Sequence, residues 1–132
     1  MKIAVVTDDG QTISKHFGRA RYYLVFTIEA GAVTEQEKRE KPGHQQFAHE
    51  DHEVHLHDHA HGMDAHSADK HVHMLDPIRD CAAAVTGGMG TGAYVSLEQA
   101  GIRPFLTEFN LVEDAVRAYI DGTLVDHKER LH

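Results

Sequence analysis

The stretch from residue 44 to 73 decides how the rest of this chain can fold, because it cannot help to build a core. It holds ten of the thirteen histidines and few large aliphatic side chains. Within it, EVHLHDHAHGMDAH (53–66) interleaves five histidines with Asp and Glu. Its mid-chain position and its interleaved acids distinguish it from a terminal purification tag. Ordering such a segment costs ~1–2 kcal/mol of backbone entropy per residue, with few apolar groups to offset it. The chain of 132 residues therefore reads as one domain of roughly 100 residues, interrupted by a polar insertion at about 44–73. A domain of that size buries a core without staples.

Charge narrows the partners. Formal net charge is −8 with histidine neutral. In the insertion Glu50, Asp51, Glu53, Asp58, Asp64 and Asp69 stand against Lys70, a contribution of −5. That balance argues against nucleic acid and anionic membrane and suits cations. Cys81 is the one cysteine, which excludes an internal disulfide and a four-cysteine metal site within a monomer. Met1-Lys2 runs straight into IAVVT, too short for a signal-peptide core. No apolar run approaches the ~20 residues of a membrane span. A soluble, cytoplasmic protein is expected.

The flanks carry regular patterns. KIAVVTDDG (2–10) is a β-branched run closed by a turn cluster, a buried strand. YYLVFTIE (22–29), Ala30-Gly31 and AVTEQEKRE (32–40) read as a hairpin whose second strand is exposed. A short helix is expected from about Asp69 to Arg79, with Pro77 distorting its last turn. CAAAVTGG (81–88) suits a strand covered on both faces, and IRPFLTE (102–108) is a further strand. Between them TGAYVSLEQAG (91–101) reads as a helix stopped by Gly101. The clearest helix is 111–121, with Val112, Ala115, Val116, Tyr119 and Ile120 in one stripe and Asn110–Glu113 as a cap pair. This order predicts an α/β fold, antiparallel first and then βαβ, with helices packed on a mixed sheet.

Three constellations could carry chemistry. His55, His57, His59 and His61 alternate with other residues, so an extended chain puts them on one side at ~7 Å spacing. In a helix they would instead form i,i+4 pairs, and either geometry chelates. With His49, His52 and His66 they are candidate ligands for Zn, Ni, Co or Fe ions. A solvated loop with incidental affinity and a histidine pH switch are the competing readings. Second, TGGMGTGAY (86–94) joins a strand to a helix. Gly88-x-Gly90-x-x-Ala93 fits the dinucleotide pattern with Glu108 as a ribose-binding acid, but its strand does not open a βαβαβ unit. A backbone N–H cradle for an anion and plain tight strand–helix packing both remain open there. Third, TDDGQTISKHFGRA (7–20) places His16 in a polar loop with Lys15, Arg19 and Arg21, a locally positive setting for a metal ligand.

MKIAVVTDDG…ISKHFGRARYYLVFTIE, IRDCAAAVTGGMGTGAY and LVEDAVRAYIDGTL, in this order, resemble the dinitrogenase iron–molybdenum cofactor biosynthesis family over about 100 residues, all but the insertion. The resemblance implies a ribonuclease-H-like α/β fold, a mixed sheet of about five strands with flanking helices and no nuclease activity. It also implies binding of a preassembled metal–sulfur cluster, with cluster-assembly or acceptor proteins as partners. The histidine of the family's HFG segment, here His16, would ligate the cluster. Lys15, Arg19 and Arg21 would offset its charge, and Gly87, Gly88 and Gly90 would line the same face. The family's shorter members lack the insertion. The rival reading is a protein that buffers or delivers Zn, Ni, Co or Fe ions, with the domain as a platform. An enzyme using Asp8, Asp9 and Glu108 ranks behind both, because no nucleophile–base pair is visible.

Overall fold

The computed structural model describes residues 1–41 and 74–132. Five strands make one sheet: β1 (Lys2–Thr7), β2 (Tyr22–Glu29), β3 (Ala32–Glu40), β4 (Ala83–Thr86) and β5 (Arg103–Leu106). Their order is β3-β2-β1-β4-β5. β1 pairs antiparallel with β2 and parallel with β4, and β4 pairs parallel with β5. The expected mixed α/β sheet, antiparallel early and parallel late, is the one the chain forms.

Alternation along β1 explains the layers. Ala4 and Val6 point into one core with Val25, Ala84, Leu97 and Leu106. Ile3 and Val5 point into the other, with Leu24, Phe26, Val85 and Phe105. Helix α1 (Thr91–Gln99) covers the first face through Tyr94 and Leu97. Helix α2 (Val112–Asp121) covers the second through Val112, Ala115 and Val116. β4 is buried along its whole length, as a strand between two helical layers must be.

Local chemistry sets the ends. Ala30 and Gly31 both adopt positive φ (53° and 77°), the two-residue turn whose twist suits a hairpin. Gly122 ends α2 at φ 77°, and the Thr123 N–H closes back on the Ala118 carbonyl. The Asn110–Glu113 cap pair does not form. Leu111 is the N-cap and makes no side-chain bond, while the Asn110 carbonyl accepts the Ile13 N–H (2.8 Å). Pairing with a distant loop has displaced the local cap. Of the helix expected over 69–79, the described part is Met74 onward and ends in a 3₁₀ turn at Asp76–Ile78. The remainder lies outside the described residues. No helix among these is long and apolar enough to cross a membrane.

Candidate functional site

β1 is where the sheet changes from antiparallel to parallel pairing. β1 and β4 run parallel, so the loops that follow them leave the same edge of the sheet. From there the chain turns to β2 on one side and to β5 on the other. Open α/β sheets bind ligands at such a switch point, beyond the carboxyl ends of the strands.

The loop after β1 is held by its own acids. Asp9 accepts N–H bonds from Gln11 (2.9 Å) and Thr12 (2.8 Å) and the Thr12 hydroxyl (2.8 Å). These backbone bonds draw its carboxyl down to about 2. Asp8 accepts the Arg21 N–H at 2.9 Å. Both acids therefore shape the turn. Among the described residues the trio of potential metal ligands that converges is Glu108, His127 and Glu129, and neither Asp8 nor Asp9 belongs to it.

His16 follows in a tight turn whose carbonyl accepts the Arg19 and Ala20 N–H groups (both 3.0 Å). Phe17 beside it is buried and donates its N–H to the Gly88 carbonyl (3.0 Å). The His16, Lys15, Arg19 and Arg21 side chains are left exposed on one polar loop. Buried Phe17 and pinned backbone thus present an imidazole among cations.

The glycines after β4 make this close approach feasible. A Cβ on Gly88 would lie 2.6 Å from the Lys15 carbonyl oxygen, and one on Gly87 would lie 3.1 Å from Lys15 Cα and the Ser14 oxygen. Gly87 donates its N–H to the Ser14 carbonyl (2.8 Å), and Gly88 donates to Thr86 Oγ1 (3.3 Å). Neither reading left open for this loop describes Gly87 and Gly88 as stated: both pack tightly, but against the Ser14–Lys15 backbone of the loop after β1 and not as strand against helix. Gly90 is the extended N-cap of α1 and meets only the His132 carbonyl oxygen, at 3.8 Å.

The last residues of the chain cross the same edge, which the sequence pattern did not reveal. Asp126 accepts the Tyr94 hydroxyl (2.6 Å) and the Leu106 N–H (3.0 Å). Arg130 Nε donates to the Gly87 carbonyl at 2.9 Å. Leu131 pairs with Met89, and His132 bonds through both its N–H (to Met89 O, 3.1 Å) and its carbonyl (from Thr91 N, 3.3 Å). Its imidazole stands 6.4 Å from that of His16, centre to centre. DHKERLH has no periodic apolar pattern, and only the packed sheet edge gives it a position.

Cys81 is buried, and loss of hydration with the neighbouring Asp80 charge pushes its thiol up to about 12. At neutral pH it is therefore a protonated, weakly reactive thiol. A groove of about 780 Å³ between α2 and the β2–β3 hairpin is lined by Leu24, Phe26, Val33, Val116 and Ile120. None of the candidate site residues lines it. His49, His52, His55, His57, His59, His61 and His66 lie outside the described residues.

Solved structures with this architecture include PH0822 (26% identity, TM-score 0.65, 96% of each chain covered). The apo form of the orange protein from Desulfovibrio gigas is similar at 21% identity and TM-score 0.64, covering 93% of this chain and 89% of that one. The Methanocaldococcus jannaschii protein MJ0327 follows at 17% identity and TM-score 0.59, covering 94% and 91%. No curated protein is significantly similar. The family model described as dinitrogenase iron-molybdenum cofactor matches residues 1–122, spanning β1 to β5 and helices α1 and α2. The chain belongs to that family.

Proposed function

We propose that this protein binds and carries an anionic metal–sulfur cluster, of the iron–molybdenum type or a related one, and catalyses no reaction on it. The observation that carries the reading is an exposed His16 held beside the Gly87–Gly88 ridge at the sheet's switch point, with Lys15, Arg19 and Arg21 on the same loop. A cluster brings its own sulfides and needs few protein anchors, so one imidazole among cations is a sufficient landing place. Family membership over 122 residues supports the same cargo. In the proposal Gly87 and Gly88 act by letting the loops meet, Gly90 lines the same face at the start of α1, and Lys15 and Arg19 offset cluster charge. Cluster-assembly or acceptor proteins are the partners such a carrier requires.

The insertion adds a second capacity, binding of Zn, Ni, Co or Fe ions through its ten histidines. A bare ion wants about four protein ligands, which the insertion can supply and the His16 loop cannot. Titration of the full chain with iron–molybdenum cofactor, and separately with Zn and Ni, tests both. His16→Ala is expected to lose the cluster and keep Zn and Ni. Replacing His55, His57, His59 and His61 with Ala is expected to do the reverse. Cluster binding by His16→Ala equal to the parent's would remove His16 from the role.

A further inference from the structure

We infer that His132 supplies a second imidazole to the cargo site, so that the cluster is held between the loop after β1 and the chain's last residues. The inference rests on the carrier reading and adds a ligand that neither the HFG segment nor the glycine run contains.

Three observations support it. The His16 and His132 rings are 6.4 Å apart between centres and 28° from parallel. An imidazole bound through nitrogen places its ring centre about 3.2 Å from the metal, so two rings on one metal have centres roughly 5 to 6.5 Å apart. The observed spacing is at the upper end of that span, where the two nitrogens are on opposite sides of the metal, and both side chains are exposed, which leaves their torsions free to bring the rings closer. Second, Gly88 lies between the two residues. A Cβ there would meet the Lys15 carbonyl oxygen at 2.6 Å and His132 Cε1 at 3.5 Å, so the same bare backbone position adjoins both. Third, the tail is built in place. His132 uses its N–H on Met89 and its carbonyl on Thr91, Leu131 packs against the α1-side core, and Arg130 bonds Gly87. Four attachments, two from His132, one from Leu131 and one from Arg130, hold this short segment in place. Lys128 and Arg130 are balanced on the same segment by Asp126 and Glu129, so the positive charge an anionic cluster needs comes from Lys15, Arg19 and Arg21 on the facing loop.

The backbone bonds of His132 do not involve its side chain, so His132→Ala and His132→Gln retain them. Full-length parent, His16→Ala, His132→Ala and His132→Gln would each be titrated anaerobically with iron–molybdenum cofactor. Pulsed EPR on protein carrying ¹⁵N-histidine would count the imidazoles coupled to the cluster. Removing an outer-shell partner of a metal ligand typically costs roughly tenfold in affinity, and loss of a direct ligand is expected to cost at least that. The expected result is two coupled imidazoles in the parent, one in each His132 variant with Kd raised at least about tenfold, and loss of the cluster in His16→Ala. If His132→Ala and His132→Gln bind like the parent while His16→Ala does not, this inference falls and the carrier reading stands. A weakened His132→Ala that still shows two coupled imidazoles also overturns it, because the tail would then only support the loop. If the parent takes up no cluster, the carrier reading itself fails.

Discussion

Lys41 is the residue whose burial is hardest to reconcile with its charge. It is 5% exposed, its Nζ has no hydrogen-bond partner among the described residues, and the ammonium faces the rings of Phe17 (5.0 Å) and Tyr23 (5.4 Å). Burial pulls its amine from 10.5 down to about 8, with the Asp8 charge opposing. Between those values the unfolded chain holds more protons than the folded one, so stability rises with pH from about 8 to 10.5. Lys41→Met should therefore stabilise the protein at pH 7 by roughly 1 kcal/mol, and the gain should shrink toward pH 10. Urea unfolding at pH 7 and 10 measures it. An equal gain at both values would mean that burial of charge is not the cause. Gly88 is the second such position. Gly88→Ala drives a Cβ to 2.6 Å from backbone and should cost about 1–3 kcal/mol. It should also displace the His16 loop and weaken cluster uptake. Unchanged melting would show that the two loops separate at little cost.

At the scale of elements, α2 illustrates how tertiary contact corrects a local reading. Its apolar stripe alone specifies which face is buried, and Val112, Ala115 and Val116 are buried in the predicted order. Its start is decided elsewhere, by pairing of Thr12 with Leu111 and the bond from Ile13 to Asn110. Val116→Asp places a carboxylate where the side chain is 5% exposed, between α2 and the sheet. It should cost more than about 3 kcal/mol. Loss of the cooperative thermal transition by circular dichroism is the expected outcome, and a native-like transition would misassign the face. The hairpin needed no such correction, because Ala30-Gly31 between two β-branched runs already encodes its turn.

For the whole molecule, both cores are assembled from residues on either side of the insertion. Tyr23 marks where those sides meet: its hydroxyl donates to the Met74 carbonyl (2.7 Å), and Lys41 lies over its ring. The two ends of the insertion are therefore at neighbouring points, and a shorter connection can close them. Loop-closure entropy changes by only ~0.6 kcal/mol for each doubling of length. Removal of residues 45–66 should leave the metal-free melting temperature within a few degrees, since ~1 kcal/mol corresponds to about 4–8 °C for a domain of this size. A fall much larger than that would place part of the core inside the deleted stretch.

Periodicity sufficed for what depends on neighbours in sequence. β1, β2, β4 and β5 were readable as short apolar runs, β3 as the charged second strand of a hairpin, and α1 and α2 by a 3.6-residue stripe, whatever partner each packs on. His16 was legible too, since Lys15, Arg19 and Arg21 stand close to it along the chain. The glycines were legible only as an ambiguity. Amide cradle and tight packing demand the same residue, and they differ in what approaches from 70 residues away: here Ser14 and Lys15 reach Gly87 and Gly88. His132 was not legible at all. Its position depends on Arg130, Leu131 and Asp126 finding Gly87, Met89 and Leu106, contacts with no repeat in sequence and no meaning until parallel β1 and β4 bring both loops to one edge. Sequence by itself determined which segments are strand and helix and which histidine stands among cations. Tertiary structure alone decided which side chains share that edge, because long-range pairing sets distances that local pattern does not encode.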